Sequence, residues 1–362
     1  MLYEYTGAIH MHSTFSDGSG SVEEIATAAS ATGLDYFILT DHNTMKARKE
    51  GLEKWYGNSM LIVGCEINDL DNKNHYLVLG LDKIVGKYEK LQNGEYGNSK
   101  SAIHYVNDVK NAGGIGFIAH PHEKRDQFPE HPPYPWIAWE CEEFNGIEIW
   151  NHMSEWIEGL NSTNKLQRFL HPLKSIVAPP IETIKKWDEV NLKRKVTGIG
   201  GVDAHAHKIN VMGLYETEIF PYKVLFKSIR TNVLLKSKLN PGVNETIEYD
   251  KRQIIEALAE GRCYIANYYH GETKGFRFYA RYGGNIYTMG DVIELRKSVE
   301  AKVLFEVLLP KVALIKLIKN GIDVHSIQSE KAVWETDGPG NYRVEVWLGD
   351  RAWIFTNHIR VI

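Results

Sequence analysis

Two histidines two positions apart, His10 and His12, stand in the stretch from Gly7 to Gly18, which reads GAIHMHSTFSDG. If Ala8 to His12 is a strand, residues two apart share a face, so both imidazoles point the same way. Such a pair can hold one metal ion through two ring nitrogens. Asp17 follows a turn containing Ser and Gly and can curl back with a third ligand. Alone, the pair also fits two ordinary histidines on a partly buried strand, so context decides.

That context recurs along the chain, where short apolar runs end in the same chemistry. Tyr36 to Leu39 ends at Asp41-His42, and Met60 to Val63 leads to Glu66. Ile115 to Ala119 ends at His120-Pro121-His122, and Ile147 to Trp150 at Asn151-His152. Val196 to Val202 ends at Asp203-Ala204-His205-Ala206-His207. His75 instead opens its run, Tyr76 to Leu79, which predicts a segment running the other way or beginning in a loop. Gathered together, the candidate ligands are His10, His12, Asp17, His42, Glu66, His75, His120, Asp203 and His205. All are imidazole or carboxylate, the set for zinc, manganese or iron rather than for a soft thiolate site. A carboxylate such as Glu66 can bridge two ions, so this set suits two or three divalent metals. Paired ions neutralise the charge of a phosphate and generate hydroxide at neutral pH.

The elements that must position these residues are legible as alternating runs. Ser21 to Thr32 reads as a helix, with Ser21 and Glu24 at capping-box spacing and Gly33 to close it. Ser101 to Ala112 puts Ile103, Val106 and Val109 on one side and stops at Gly113-Gly114. Asp250 to Glu260 repeats the pattern with Ile254, Ile255 and Leu258, ended by Gly261. Short apolar strands alternating with helices predict parallel strands with crossovers, and chemistry at the strands' C-terminal ends. Two stretches interrupt the alternation. Glu123 to Phe144 is rich in proline and aromatics, including Phe128, Pro132, Pro133, Tyr134, Trp136 and Trp139. It reads either as a pocket wall or lid, or as a surface loop packed by its own side chains. Met153 to Lys195 mixes helical segments with Pro172, Pro179 and Pro180 and is expected over the strand ends. After Gly271 the texture turns β-rich. Phe276 to Tyr282, Val299 to Leu309, Leu314 to Lys319, Tyr342 to Leu348 and Ala352 to Phe355 predict a small antiparallel sandwich. Gly283-Gly284, Asp337-Gly338 and Gly349-Asp350 supply turns, and His325 and His358 read as surface or packing residues.

The chain of 362 residues suffices for two domains, or one large one with an appendage. Its 43% apolar and 24% charged residues describe an ordinary globular protein that buries a sizeable core. A formal charge of 42 − 46 = −4 gives no general attraction for nucleic acid or anionic membranes. Cys65, Cys141 and Cys263 are odd in number and widely spaced, with no Cys-x-x-Cys pair, so neither a thiolate zinc site nor a disulfide framework is indicated. No basic-then-apolar leader opens the chain, and the most apolar region, Val303 to Ile318, carries Glu306, Pro310, Lys311 and Lys316. A cytoplasmic protein without a membrane span is expected.

The blocks His10 to Gly18 and Leu39-Thr40-Asp41-His42-Asn43, the lone Glu66, His120-Pro121-His122 and Asp203-Ala204-His205 resemble the PHP (polymerase and histidinol phosphatase) domain. The resemblance covers residues 1–270. It implies an α/β fold, a distorted (β/α)7 PHP barrel, and the antiparallel β-sandwich read from the residues themselves is expected to follow over residues 271–362. It also implies a metal-dependent phosphoesterase. Gly146 to Asn151 and Gly200 to His205 look like the carbaryl-hydrolase-like branch of that family. Carried over, the resemblance gives one metal to His10, His12, Glu66 and Asp203. A second goes to Glu66, His75 and His120, and a third to Asp17, His42 and His205.

Around these ligands, Asp41 reads as orienting a histidine or capping a helix, and Pro121 as fixing chain direction after His120. His122, His152 and His207 read as proton donors or as partners behind the ligands. Arg125 and Lys208 flank the ligand blocks and suit a phosphate, though solvated surface charges have the same appearance. His104, His131 and His171 fall in a helix or in proline-flanked loops and are left out. The resulting expectation is a hydrolase of small phosphate mono- or diesters. Hydroxide bridging the first two metals attacks phosphorus in line with the leaving group. Metals and Arg125 or Lys208 stabilise the developing charge, and His122 or His207 protonates the leaving oxygen. Three alternatives stand beside it. The same site can hydrolyse a carboxyl ester or carbamate. It can trim nucleic-acid ends as an exonuclease, although the acidic balance argues against nucleic acid as the main partner. Or the site is vestigial in a binding module, against which stands the complete ligand set.

Overall fold

The structure is a computed structural model that describes residues 2–91, 94, 96–125, 132–211, 215–295, 302–336 and 338–362, with backbone alone for 209–211 and 215–217. Phe128, His131, residues 299–301 and Asp337 of the sequence-based expectations lie outside the described residues.

Ten strands frame the predicted ligands: β1 Tyr3–Ile9, β2 Tyr36–Leu39, β3 Ser59–Val63, β4 Cys65–Ile67, β5 Tyr76–Leu79, β6 Ile115–Ile118, β7 Gly146–Asn151, β8 Thr197–Gly201, β9 Ile229–Leu235 and β10 Cys263–Asn267. Strands β2 to β5 and β7 to β10 are buried along their whole length. Burial on both faces is why they read as continuous apolar runs rather than as alternating ones. The main helices are α1 Val22–Ala31, α2 Ala102–Asn111, α3 His152–Glu158, α4 Ile181–Lys193 and α5 Ile247–Ala259. The capping box of α1 is made as its spacing predicts: Glu24 N donates to Ser21 Oγ (3.2 Å) and Ser21 N to Glu24 Oε2 (2.7 Å).

Strands β3-β2-β1 are parallel, and β9 then β10 extend that sheet antiparallel from the other edge of β1. A second sheet orders β8-β7-β6-β5-β4, with β6, β7 and β8 parallel. Strand β5 runs against both its neighbours, so the segment opened by His75 does run the other way. The ladders therefore form two sheets where a closed seven-stranded barrel is expected. The cause lies at the edge of β1. Tyr3 to Gly7 are already paired with Leu235 to Thr231 of β9, so β8 cannot take that edge along its length. Past the reach of β9, three backbone bonds tie β1 to the end of β8: Val202 N to Ile9 O (2.9 Å), Ala204 N to His10 O (3.3 Å) and His12 N to Ala204 O (2.9 Å). On the other side, β3 runs through Gly64 into β4. A Cβ at Gly64 would stand 2.4 Å from the Val78 carbonyl oxygen, so the crossing needs glycine.

The C-terminal strands are β11 Arg277–Tyr282, β12 Asn285–Thr288, β13 Val303–Lys319, β14 Ile322–Thr336, β15 Gly340–Leu348, β16 Arg351–Thr356 and β17 Ile359–Val361. Strand β16 pairs with β10, with Phe355 opposite Ile265. Where the sequence predicts a pair of packed sheets, the hydrogen bonds form one sheet, continuous with the frame and folded back on itself. The fold-back is possible because the 17-residue strand β13 serves both layers. Its first half pairs with β11 and its second with β15. Pairing with β14 breaks register between Leu308 and Ala313, around Pro310, which has no N–H to give a ladder. Phe305 and Tyr342 meet across the fold at 4.6 Å, and His325 and Trp334, nine residues apart in one strand, at 6.0 Å. A core of its own, including Phe278, Val307, Val344 and Trp353, fills the space between.

Candidate metal centre

The strand ends do not simply stop. His10, His120 and Asp203 each carry a positive φ, 69°, 26° and 52°. Left-handed backbone at a non-glycine residue costs about 1–3 kcal/mol and persists where the surroundings over-determine it. Here these turns follow β1, β6 and β8.

All nine residues singled out as ligands come together. Their ligand atoms form four overlapping groups, each within 4.8 Å: His12, Asp17, His42 and His205; His10, His120 and Asp203; His10, His12 and Glu66; and His42, Glu66 and His75. Glu66 is the hub. Its Oε2 lies 3.0 Å from His10 Nε2, 3.2 Å from His12 Nε2 and 3.6 Å from His42 Nδ1. Its Oε1 lies 2.8 Å from His75 Nδ1 and 3.2 Å from His120 Nε2. Asp203 Oδ1 sits 3.4 Å from His10 Nε2, 3.5 Å from His12 Nε2 and 3.6 Å from His205 Nδ1. Asp17 Oδ2 faces His205 Nε2 at 3.2 Å and His42 Nε2 at 3.9 Å.

The electrostatics follow from burying these groups together. Burial alone would push His12 down, but Asp203 and Glu66 hold it up to about 10, and Glu66 likewise holds His120 up to about 9. Burial pushes His42 down to about 3, with the charge of His12 adding to the effect. Against their own burial, Glu66 and Asp203 are held well below the carboxylate range, chiefly by His10. The donor set also passes a test of fit. Both ring nitrogens of His12, Nδ1 of His42 and Nδ1 of His120 are buried with no hydrogen-bond partner. Unpaired buried polar atoms are costly, and divalent ions with nitrogen and oxygen ligands would satisfy the inward-facing ones.

Behind the ligands stands Glu148, in the middle of β7, a residue the sequence reading passes over. Its Oε1 lies 2.9 Å from His10 Nδ1, while its Oε2 accepts from His120 N (2.9 Å) and Asn151 Nδ2 (2.9 Å). Gly201 makes room, since a Cβ there would stand 1.9 Å from Glu148 Oε1. A carboxylate between Ile147 and Ile149 of a fully buried strand was the available signal. Asp41, expected to orient a histidine or cap a helix, holds two serines instead. It accepts from Ser13 N, Ser13 Oγ and Ser16 Oγ, each at 2.7 Å, and so fixes the turn between His12 and Asp17.

Seven of the nine candidate ligands open on a cavity of about 250 Å³, lined also by Arg125, Tyr134, Met153, Ile157 and His207. Tyr134 stacks on His75 (5.1 Å), Arg125 lies over Tyr134 (4.6 Å), and Arg125 Nη2 donates to Glu123 Oε1 (2.9 Å). His207 is exposed and stacks on His205 at 5.0 Å. His122 faces elsewhere, with Nδ1 3.0 Å from Thr183 Oγ1 and its ring 5.4 Å from Trp139. Lys208 is exposed and does not line the cavity. His152 is buried against Ser228 Oγ (2.8 Å).

Residues 8–118 match the model of the PHP domain. No curated protein matches the chain. Among solved structures, a two-domain protein containing a predicted PHP-like metal-dependent phosphoesterase from Bacteroides vulgatus is 16% identical, over 99% of this chain and 96% of that one, with a TM-score of 0.45. PsfC from Pseudomonas syringae is 11% identical over 70% and 96%, with a TM-score of 0.38. An amidohydrolase from Chromobacterium violaceum is 14% identical over 60% and 92%, with a TM-score of 0.34.

Proposed function

We propose that this PHP-domain chain is a metal-dependent phosphoesterase acting on small phosphate mono- or diesters. The observation that carries the reading is the convergence of nine imidazoles and carboxylates, seven of which line one cavity with Arg125 in its wall. One ion would be held by His10, His12, Glu66 and Asp203, a second by Glu66, His75 and His120, and a third by Asp17, His42 and His205. Two or three divalent ions, zinc, manganese or iron, would supply Lewis acidity and a water acidified towards neutral pH. The protein's own side chains do the rest. Glu148 fixes the ring of His10, and Glu123 aims Arg125 at the non-bridging oxygens of the ester. His207, at the cavity mouth, gives the proton to the leaving oxygen in preference to His122, which is tied to Thr183. Lys208 has no such place at the cavity, and Arg125 takes the substrate role alone. Residues 1–270 thus carry the chemistry, while 271–362 support the frame. The three cysteines are free and buried, which suits a reducing cytoplasm.

Met153, Ile157 and Tyr134 give the cavity an apolar side, which suits an aromatic leaving group and keeps a carboxyl-ester or carbamate reading in view. Nitrophenyl phosphate, bis-nitrophenyl phosphate and nitrophenyl acetate assayed side by side separate the two. Turnover of a phosphate ester that is abolished by chelator and restored by manganese or zinc is expected. Metal-dependent turnover of the acetate alone would transfer the assignment to the carboxylesterase.

A further inference from the structure

A second cavity, of about 240 Å³, lies where the segment after α3 meets β16, and none of the nine candidate ligands lines it. Arg168, His171 and Lys174 line it from the first segment and Arg351 from the first position of β16. The remaining lining is Asn164, Gln167, Ser175 and Val177, so no carboxylate faces these cations inside the cavity. The acid whose charge reaches Arg168 is Glu155, and its oxygens are already spent. They accept from Val177 N (2.5 Å), Ala178 N (3.1 Å) and Trp150 Nε1 (2.7 Å).

The site is built from residues far apart in sequence, and its donors are set in advance. Arg168 Nη1 donates to the Trp156 carbonyl (2.6 Å). Arg351 Nη1 donates to the carbonyls of Lys174 (2.6 Å) and Ile176 (3.4 Å). The backbone bond from Ala352 N to Val177 O (2.9 Å) locks the two segments together. A guanidinium has five N–H donors, so carbonyl contacts of this kind orient the fork and leave donors over. Three permanent positive charges around one small cavity match a dianion better than a monoanion, and charge-assisted bonds to phosphate are among the strong ones.

We propose that this cavity binds a phosphate group, free or on a small molecule, at a site separate from the metal centre. The proposal does not rest on the reaction assigned to that centre. Its link to the rest of the molecule is α3, whose Trp156 carbonyl Arg168 holds and whose Met153 and Ile157 line the metal cavity.

The test is calorimetric titration of the full chain with inorganic phosphate, methyl phosphate and acetate. It is made in a Glu66→Gln background, so that anion binding at the metal centre does not mask the second site. Saturable phosphate binding is expected, at least tenfold tighter than acetate. Lys174→Met should weaken it about tenfold and Arg351→Met abolish it. Lys174 is exposed, so its replacement leaves the fold intact, and the thermal midpoint checks this. Equal binding of methyl phosphate would identify the group carried on a small molecule, and its exclusion would identify the free ion. No phosphate binding in the Glu66→Gln chain, or binding indifferent to Lys174→Met, would overturn the proposal.

Discussion

Asp188, Arg343, Glu345 and His358 form one buried cluster of charge, and His10, His12, Glu66, His120 and Asp203 form another. In the first, Arg343 gives Asp188 a two-pronged grip through Nε (2.8 Å) and Nη2 (2.7 Å), and Nη1 goes to Glu345 (2.7 Å). His358 adds a further contact to Asp188 at 3.0 Å. In the second, two carboxylates are shared among several rings, many at 3.2–3.6 Å. One ring nitrogen in the first cluster lacks a partner, Nδ1 of His358, against three in the second. Three residues of the second stand in left-handed backbone and none of the first does. The same residue types therefore serve opposite ends. Closely paired charge fastens α4 to β15 and to His358 just before β17, whereas under-paired charge on strained backbone is kept ready for something to bind.

Glu66→Gln should break the second cluster most severely, because it removes the charge on which five imidazoles converge. Activity should fall by about three orders of magnitude, roughly 4 kcal/mol of transition-state stabilisation. Elemental analysis should show less bound metal per chain, and unchanged stoichiometry and turnover would reduce Glu66 to a structural acid. Arg343→Met should do the reverse, costing about 3–5 kcal/mol of stability by stranding Asp188 while leaving metal stoichiometry alone. Burial alone would raise the Asp188 carboxyl, but Arg343 and His358 hold it well below the usual range. Its folded pKa is depressed, so its contribution is present above the unfolded value of about 3.9 and is lost as pH falls through the folded one. The stability gap between the wild-type chain and Asp188→Asn, measured by denaturant melts, should be full at neutral pH and narrow in acid. A gap that widens on acidification would contradict the pairing. The smallest effect tests the boundary between the clusters. Glu148→Gln keeps the shape behind His10 but loses the charge, and should weaken metal binding about 10- to 100-fold with the fold intact. Unchanged metal affinity would show that Glu148 belongs with the structural cluster.

The candidate ligands were readable because all but His75, which opens its run, follow an apolar run, where a short segment couples position in sequence to position in space. Asp17, His42 and Glu66 needed no long-range information for the same reason. Glu148 was not readable, since its role is set by His10, which lies 138 positions away. Barrel closure failed for a related reason. Nothing in Ile229 to Leu235 announces that it will pair with Tyr3 to Gly7, and that pairing decides which edge of β1 is left. His122 and His207 looked alike in sequence, but His207 lines the cavity whereas His122 is held aside by the hydroxyl of Thr183, brought up by α4. The C-terminal turns and strands were visible as local texture. Their sharing of one bent strand was not, because texture does not reveal which edge a strand offers to which neighbour.

The pairing of Tyr3 with Leu235 also sets a clock. At about 5–20 residues per second, a ribosome takes roughly 10–50 s to deliver β9 after β1 has emerged. During most of that interval His10, His12 and Glu66 are already outside the tunnel and β2 can pair with one edge of β1, while the edge from Tyr3 to Gly7 that β9 will cover stays open. An uncovered edge recruits other chains. The pace of translation, and whatever shields a nascent chain, therefore bears on the yield of this protein as directly as the stability of the finished fold.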